Sequence, residues 1–276
     1  MSRTFDALRR AAVNEPEEPQ VLQVPVRSPL LERDSDNTLA GETRRIAAPP
    51  KPESHIVVDS DRQNSTVREH FRYMEHQFRK LRQSTGLKRI LVTSSAPREG
   101  KTVVAANLAA TLACGTARVL LIDADMRGAG SGSLFGATES VGLAGVLEGR
   151  ATPSEAMVYL DALKVYYIPA GRPSSSPADL VQGGQMRDLL ASLEQFDWVI
   201  VDSPPIGAFA DALSMATQVD GVVVVARSGL TARHELEHTL AALKDCRVAG
   251  IVLNGHDKRQ KDYYRSYYSS NGKARA

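Results

Sequence analysis

Short apolar runs alternate with stretches of helical spacing after residue 86. The apolar runs predict strands, and the helical spacing predicts helices. Strands are predicted at 89–94, 118–123, 165–169, 198–202, 221–226 and 248–254, and helices at 101–113, 143–148, 186–195, 210–218 and 231–243. Several runs are apolar on both faces, as strands buried between two helix layers must be. The pattern therefore predicts an α/β fold, a doubly wound and mostly parallel sheet with helices on both faces.

A longer amphipathic helix is predicted before these elements, from residue 66 to a breaker at 84–86. Thr66 and Glu69 have the spacing of a capping box, which satisfies backbone N–H groups at a helix start. One apolar stripe follows, formed by Val67, Phe71, Met74, Phe78 and Leu81. Such a stripe packs either on its own domain or on a neighbouring subunit, and the pattern leaves both open.

The two ends of the chain lack sustained periodicity. Residues 1–65 are rich in proline and charge, which predicts a flexible arm or linker. Within the arm, 2–12 is a possible short helix, which is either disordered alone or folds on a partner. We therefore expect a domain at 66–256, followed by a flexible tyrosine-rich tail at 257–276.

Composition narrows the class of protein. The net charge of +2 is too close to balance to favour a nucleic-acid partner. No apolar run approaches the roughly 20 residues that span a bilayer, and the first residues lack the apolar core of a signal peptide. Cys114 and Cys246 form neither a disulfide framework nor metal-ligand spacing. These features predict a cytoplasmic protein without a membrane span.

The most specific motif joins the strand at 89–94 to the helix at 101–113. This is the context of a phosphate-binding loop, or P-loop, in which backbone N–H groups and the helix dipole attract phosphates. Gly100 allows close approach, Lys101 would reach the β- and γ-phosphates, and the Thr102 hydroxyl would bind Mg²⁺. The predicted nucleotide contacts are Ser95 (in place of the usual first glycine), Ala96, Pro97, Arg98, Glu99, Gly100, Lys101, Thr102 and Val103.

Carboxylates follow two of the predicted strands. Asp123 and Asp125 lie two positions apart, so both can point into one site. Asp202 ends another apolar strand, the Walker B arrangement that holds Mg²⁺ directly or through water. Because three carboxylates exceed what one Mg²⁺ needs, we expect one to act as a base or to orient a nucleophile. The predicted metal ligands are Thr102, Asp123 and Asp202.

Half of the eight tyrosines lie close together in the tail. They are Tyr263, Tyr264, Tyr267 and Tyr268. Basic residues, serine and glycine surround them, and no apolar periodicity would bury them. A mobile terminus can present a phenolic hydroxyl to an active site, where a carboxylate accepts or guides the proton, since phenol has a pKa of about 10. Each phosphate would add roughly −1.5 to −2 charge to this basic tail, which predicts a phosphorylation switch.

Together, the three motifs resemble those of the bacterial tyrosine kinases (BY-kinases) that regulate capsular and exopolysaccharide assembly. The P-loop form Ser-x-x-Pro-x-x-Gly-Lys-Thr at 94–102 is similar to theirs, as are the Asp-x-Asp-x-Arg motif ending at Arg127 and the Asp-Ser-Pro-Pro motif beginning at Asp202. The sequence departs from the family pattern at Arg98, where glycine is common, and at Ala129, where proline is common.

The resemblance implies a P-loop NTPase fold and an ATP- and Mg²⁺-dependent protein-tyrosine autokinase. It further implies autophosphorylation of the tail between subunits of a homo-oligomer, activation by a separate membrane-bound partner, and control of polysaccharide polymerisation and export. Asn254 resembles the family asparagine at the adenine, although a strand-end asparagine also forms turns. In the helix from residue 66, Glu69 and Arg72 fit the family's subunit-contact motif, whereas Glu75 replaces an arginine.

The expected catalytic residues are Lys101, Asp123, Asp125 and Arg127. Asp123 would accept the tyrosine proton and Asp125 would support the metal or Lys101, although the two roles could be reversed. Two other functions stay open: a partitioning-type ATPase that acts as a positioning switch, and a catalytically silent ATP-binding regulatory subunit. Ala96, at the position of the partitioning ATPases' signature lysine, and the tyrosine-rich tail argue against the first. The intact lysine and carboxylates argue against the second.

Overall fold

The computed structural model describes residues 43–47, 65–127, 132–137 and 141–255. The short helix predicted at 2–12 and the tyrosine cluster lie outside these residues. The strands are β1 (Arg44–Ile46), β2 (Arg89–Ser94), β3 (Val119–Asp123), β4 (Val158–Leu160), β5 (Val165–Ile168), β6 (Trp198–Asp202), β7 (Gly221–Arg227) and β8 (Val248–Asn254). The helices are α1 (Ser65–Thr85), α2 (Lys101–Leu112), α3 (Gly132–Phe135), α4 (Gly142–Leu147), α5 (Pro153–Ala156), α6 (Pro177–Gln182), α7 (Gln185–Ser192), α8 (Ala210–Ala216) and α9 (Arg233–Ala242). None of these helices is both long and apolar enough to cross a bilayer.

The strands form one sheet in the order β1-β4-β5-β3-β6-β2-β7-β8. From β5 across to β8, every neighbouring pair is parallel. At the other edge, β4 runs antiparallel to β5, and β1 runs parallel to β4. The predicted doubly wound, mostly parallel α/β fold is therefore confirmed.

Apolar side chains fill both faces of the sheet, which explains the continuous apolar runs of its central strands. Along β3, Val119 and Leu121 join the core that includes α1 and α2, whereas Leu120 and Ile122 join the core on the opposite face. The second core includes buried residues of α4, α6, α7 and α8. The carboxyl ends of the parallel strands therefore meet at one edge between two helix layers, where ligands bind in sheets of this kind.

The sequence pattern predicts neither β1 and β4 nor the short helices α3, α5 and α6. β1 lies inside the segment assigned to the flexible arm, so residues 44–46 belong to the sheet and not to a linker. β1 and β4 have 3 residues each, too few for an alternating pattern to be visible. The predicted helix at 66 begins at Ser65, and the Thr66 side chain of its capping box lies outside the description.

The apolar stripe of α1 packs on its own domain. Phe71 and Phe78 are 8% and 4% exposed, and Met74 and Leu81 pack, partly buried, against the same core. Val67, at the start of the stripe, is exposed. Of the two interpretations of this stripe, intradomain packing is therefore the one that the structure supports.

Replacing Phe78 with Ala should destabilise the protein by about 3–5 kcal/mol, because it removes a buried aromatic ring and leaves a cavity. Tyr73→Ala, on the exposed side of the same helix, is the matched control and should change stability by less than about 0.5 kcal/mol. Urea unfolding followed by circular dichroism measures both. Equal losses for the two variants would contradict the packing of α1 described above.

Candidate active site

The predicted P-loop lies between β2 and α2 and ends at Gly100, which is the N-cap of α2. Gly100 has a φ of 94°, a left-handed conformation that favours glycine. A Cβ atom at this position would lie 2.1 Å from Nδ2 of Asn254. Lys101 and Thr102 form the first turn of α2, and Lys101 is 7% exposed. Glycine at position 100 is therefore required by its backbone conformation and by its neighbour.

Hydrogen bonds inside the loop fix its shape. The Ser94 hydroxyl donates to the Ala96 carbonyl at 2.7 Å, and the Ala96 N–H donates to the Glu99 carboxylate at 3.0 Å. Glu99 is fully buried, and its other carboxylate oxygen accepts the hydroxyl of Thr231. Pro97 and Arg98 are exposed at the crest of the loop, and Val103 is half-buried in the first turn of α2.

Three further contacts hold the loop from the β7, α9 and β8 side. The buried Thr239 hydroxyl of α9 donates to the Ser95 hydroxyl at 2.9 Å. The Arg227 guanidinium donates to the Arg98 carbonyl at 2.9 Å. The Asn254 amide donates to the Glu99 carbonyl at 3.0 Å, and its oxygen accepts the N–H of Gly255 at 2.8 Å. These bonds fit the turn-forming alternative for Asn254, and its role at the adenine stays a prediction.

Two of the predicted carboxylates lie side by side. Asp123 and Asp202 are paired residues at the ends of the adjacent strands β3 and β6, and they are 1% and 2% exposed. The Asp125 N–H donates to Asp123 Oδ1 at 3.1 Å, and this bond keeps the half-buried Asp125 close to the pair. The Thr102 hydroxyl hydrogen-bonds the Asp202 carboxylate, which joins α2 to this pair. The structure therefore brings the carboxylates to the start of α2.

Burial and the negative charge of Asp123 raise the pKa of Asp202 to about 8, although the Thr102 hydroxyl and the Lys101 charge act in the opposite direction. Within the described residues, Oδ1 of Asp202 is buried without any hydrogen-bond partner. A buried oxygen of this kind, next to a hydroxyl and a second carboxylate, fits a divalent cation. The part of the chain described here contains no group of three or more His, Cys, Asp or Glu side chains arranged for a metal. Magnesium needs only one or two carboxylates, because it keeps several waters.

Sequence reasoning missed two partners of the predicted catalytic residues. The Tyr167 hydroxyl lies 3.5 Å from Asp123 Oδ2 in a buried environment. Arg127 makes a bidentate contact with Asp211, with N–O distances of 2.7 and 2.9 Å, and its guanidinium lies 4.5 Å from the Phe209 ring centroid. Asp211, 3% exposed in the first turn of α8, is separated from Arg127 by 84 positions, so no local spacing could indicate this pair.

A phosphate-binding loop between β2 and α2, next to carboxylates at the ends of β3 and β6, defines a P-loop NTPase. Residues 87–267 match the family described as "ParA: NUBPL iron-transfer P-loop NTPase". Tyrosine-protein kinase YwqD of Bacillus subtilis is 33% identical over 184 residues, which cover 66% of this chain and 78% of YwqD. The chain therefore belongs to the bacterial tyrosine kinases, within the ParA-type P-loop NTPases.

Longer relatives contain the same region as one part of a larger protein. Tyrosine-protein kinase etk of Escherichia coli K12 is 32% identical over 178 residues, which are 63% of this chain but only 24% of etk. The solved kinase domain of Escherichia coli ETK superposes with a TM-score of 0.68 at 29% identity, covering 72% of this chain and 79% of that one. The shared region is thus the kinase domain of these relatives.

Replacing Asp202 with Asn should stabilise the metal- and nucleotide-free protein increasingly as the pH rises from 3.8 to about 8. The pKa of Asp202 is raised by folding, so below 3.8 both states are protonated and no difference arises from this group. Between the two values the unfolded chain releases a proton that the folded protein keeps, which lowers the free energy of unfolding by up to about 1.4 kcal/mol per pH unit.

Urea unfolding of wild type and Asp202→Asn at pH 5 and pH 8, in the presence of a chelator, measures this gain. Asp188→Asn, on the exposed side of α7, is the matched control. A gain from Asp202→Asn that is the same at both pH values would contradict the raised pKa.

Proposed function

We propose that this chain is an ATP- and Mg²⁺-dependent protein-tyrosine autokinase that phosphorylates the tyrosines of its own C-terminal tail. The observation that carries the proposal is the buried Oδ1 of Asp202, beside Asp123 and the P-loop, which has no hydrogen-bond partner among the described residues. Membership of the bacterial tyrosine kinases supports the same reaction. Bound ATP would supply the phosphoryl group, and Mg²⁺ would neutralise part of the charge on its phosphates.

Each residue has a role that fits its position. Lys101 and the loop N–H groups hold the phosphates, and Thr102 and Asp202 bind Mg²⁺, with Asp123 as a further metal ligand or as the acceptor of the tyrosine proton. Asp125 supports the metal or Lys101. Arg127, fixed by Asp211, shapes the approach to this edge and contributes positive charge near the reacting groups. Positioning and charge neutralisation supply most of the rate enhancement in such transfers.

The tail supplies the phosphoacceptors, Tyr263, Tyr264, Tyr267 and Tyr268. Transfer between subunits requires a homo-oligomer, and Glu69 and Arg72 of α1 are the family-type contact residues for it. We further propose that the protein works in the cytoplasm, that a membrane-bound partner recruits and activates it, and that it controls exopolysaccharide or capsule polymerisation and export. The resemblance to BY-kinases supports these assignments.

Incubation of the purified chain with γ-labelled ATP and Mg²⁺ tests the reaction. The wild type should acquire alkali-stable phosphate, mapped by mass spectrometry to the tyrosines of 263–268. Lys101→Met should reduce labelling at least about a hundredfold, the typical cost of removing one charge-stabilising group. Lys244→Met, at an exposed position after α9, is the matched control and should label normally.

A variant with Phe at all four tail tyrosines should bind nucleotide but stay unlabelled. Tyr73→Phe, at an exposed position of α1, should be labelled to the same extent as the wild type. Labelling of the four-Phe variant at wild-type level would contradict the tail as the acceptor. ATP hydrolysis without protein labelling would favour the positioning switch, and nucleotide binding without either reaction would favour the silent regulatory subunit.

A further inference from the structure

Glu99 is a fully buried carboxylate that the proposed chemistry does not use. It directly follows Arg98, which is exposed at the crest of the P-loop, yet the Glu99 side chain is buried. Burying a carboxylate is costly unless its oxygens are hydrogen-bonded, and both oxygens of Glu99 have donors. One accepts the Ala96 N–H at 3.0 Å, and the other accepts the Thr231 hydroxyl. The two donors are the backbone of the loop itself and a side chain from a different part of the fold.

Thr231 is itself held firmly. It lies in the connection from β7 to α9, where its oxygen accepts the Arg227 N–H at 2.7 Å and its own N–H donates to the Arg227 carbonyl at 2.9 Å. The same connection is tied to β8, because the Ser228 N–H donates to the Asn254 carbonyl at 2.8 Å. The hydroxyl that contacts Glu99 therefore belongs to a turn with a fixed place at the end of β7.

The link between Thr231 and Glu99 continues into the loop. Glu99 fixes the direction of the Ala96 N–H bond, and the peptide units after Glu99 lead into the N–H groups at the start of α2, where phosphates bind. Losing the Thr231 hydroxyl would leave a buried carboxylate oxygen without its donor, and the side chain would have to move to regain one. Movement of Glu99 would release the Ala96 peptide as well.

We propose that Glu99 and Thr231 are positioning residues for the nucleotide: their hydrogen bond holds the P-loop in the shape that receives phosphates. This inference rests on the nucleotide-binding part of the proposed function and not on tyrosine phosphorylation. The proposed function assigns neither side chain to a reacting group. Their loss should therefore weaken nucleotide binding and raise the KM for ATP, while kcat at saturating ATP changes little.

Titration of the full chain with a fluorescent N-methylanthraniloyl-ADP in the presence of Mg²⁺ tests the proposal. Thr231→Val, which keeps the side-chain shape but removes the hydroxyl, should weaken binding about tenfold, as expected for losing a hydrogen bond to a buried charged group. Thr231→Ser, which keeps the hydroxyl, should restore binding to within about twofold of wild type. Thr217→Val removes an exposed hydroxyl that donates to the Ser214 carbonyl at 2.8 Å and is the matched control.

A second variant covers the case in which Thr231→Val does not fold. Glu99→Met keeps a similar side-chain length but removes both acceptor oxygens, so the Ala96 N–H and the Thr231 hydroxyl lose their partner and binding should also weaken. Wild-type affinity in folded Thr231→Val or Glu99→Met would overturn the proposal, and so would Thr231→Ser binding as poorly as Thr231→Val. If the wild type binds the ADP analogue but never labels its tyrosines, the kinase assignment fails while the positioning role stands.

Discussion

Two carboxyl groups lie side by side at the active-site edge, where water is scarce. Asp123 and Asp202 end adjacent strands, and both are almost completely buried. Ionising both would place two like charges together without solvation, which is costly in the free protein and is the reason why the pKa of Asp202 is raised. The Thr102 hydroxyl, the Lys101 charge and the N-terminus of α2 offset part of the cost. A bound cation would offset more of this cost, so cation binding would stabilise the ionised form of both carboxyl groups.

The P-loop bears a second, conformational cost. Arg98 has a φ of 65°, in the left-handed region that residues other than glycine rarely adopt. Such a conformation costs on the order of 1–3 kcal/mol and persists only where surrounding contacts impose it. Here the contacts come from the end of β7, the turn after it, α9 and the end of β8. A loop held in this way is ordered before its ligand arrives, which lowers the entropy lost on binding.

How much the sequence predicts depends on whether the determinants of a feature are local. The bounds of β2, β6 and β8 agree with those predicted, because each is an apolar run that ends at a change of composition. The P-loop and its neighbouring carboxylates were predictable because strand ends in a parallel sheet meet at one edge. Helix α8 ends at Ala216 and not at 218 as predicted. The hydroxyl of the next residue, Thr217, donates a hydrogen bond to the Ser214 carbonyl.

Contacts between distant segments could not be predicted in this way. The Glu99–Thr231 bond joins positions 132 apart, and Arg127 and Asp211 are 84 apart. No periodicity or spacing in one sequence indicates which polar side chains will meet across such separations. β1 could not be predicted for a related reason. Its three residues, with one buried side chain, form a strand because they pair with β4, which is distant in the sequence.

The position of β1 determines how far apart the two edge strands of the sheet lie. The chain enters the described sheet at β1 and leaves it at β8, which are its opposite edges. Strand spacing in sheets is about 4.8 Å, so β1 and β8, seven spacings apart, are separated by about 34 Å across the sheet. A molecule that contacts β1 and another that contacts β8 would therefore bind at well-separated places on the sheet. The two edges of the sheet can therefore make separate contacts at the same time.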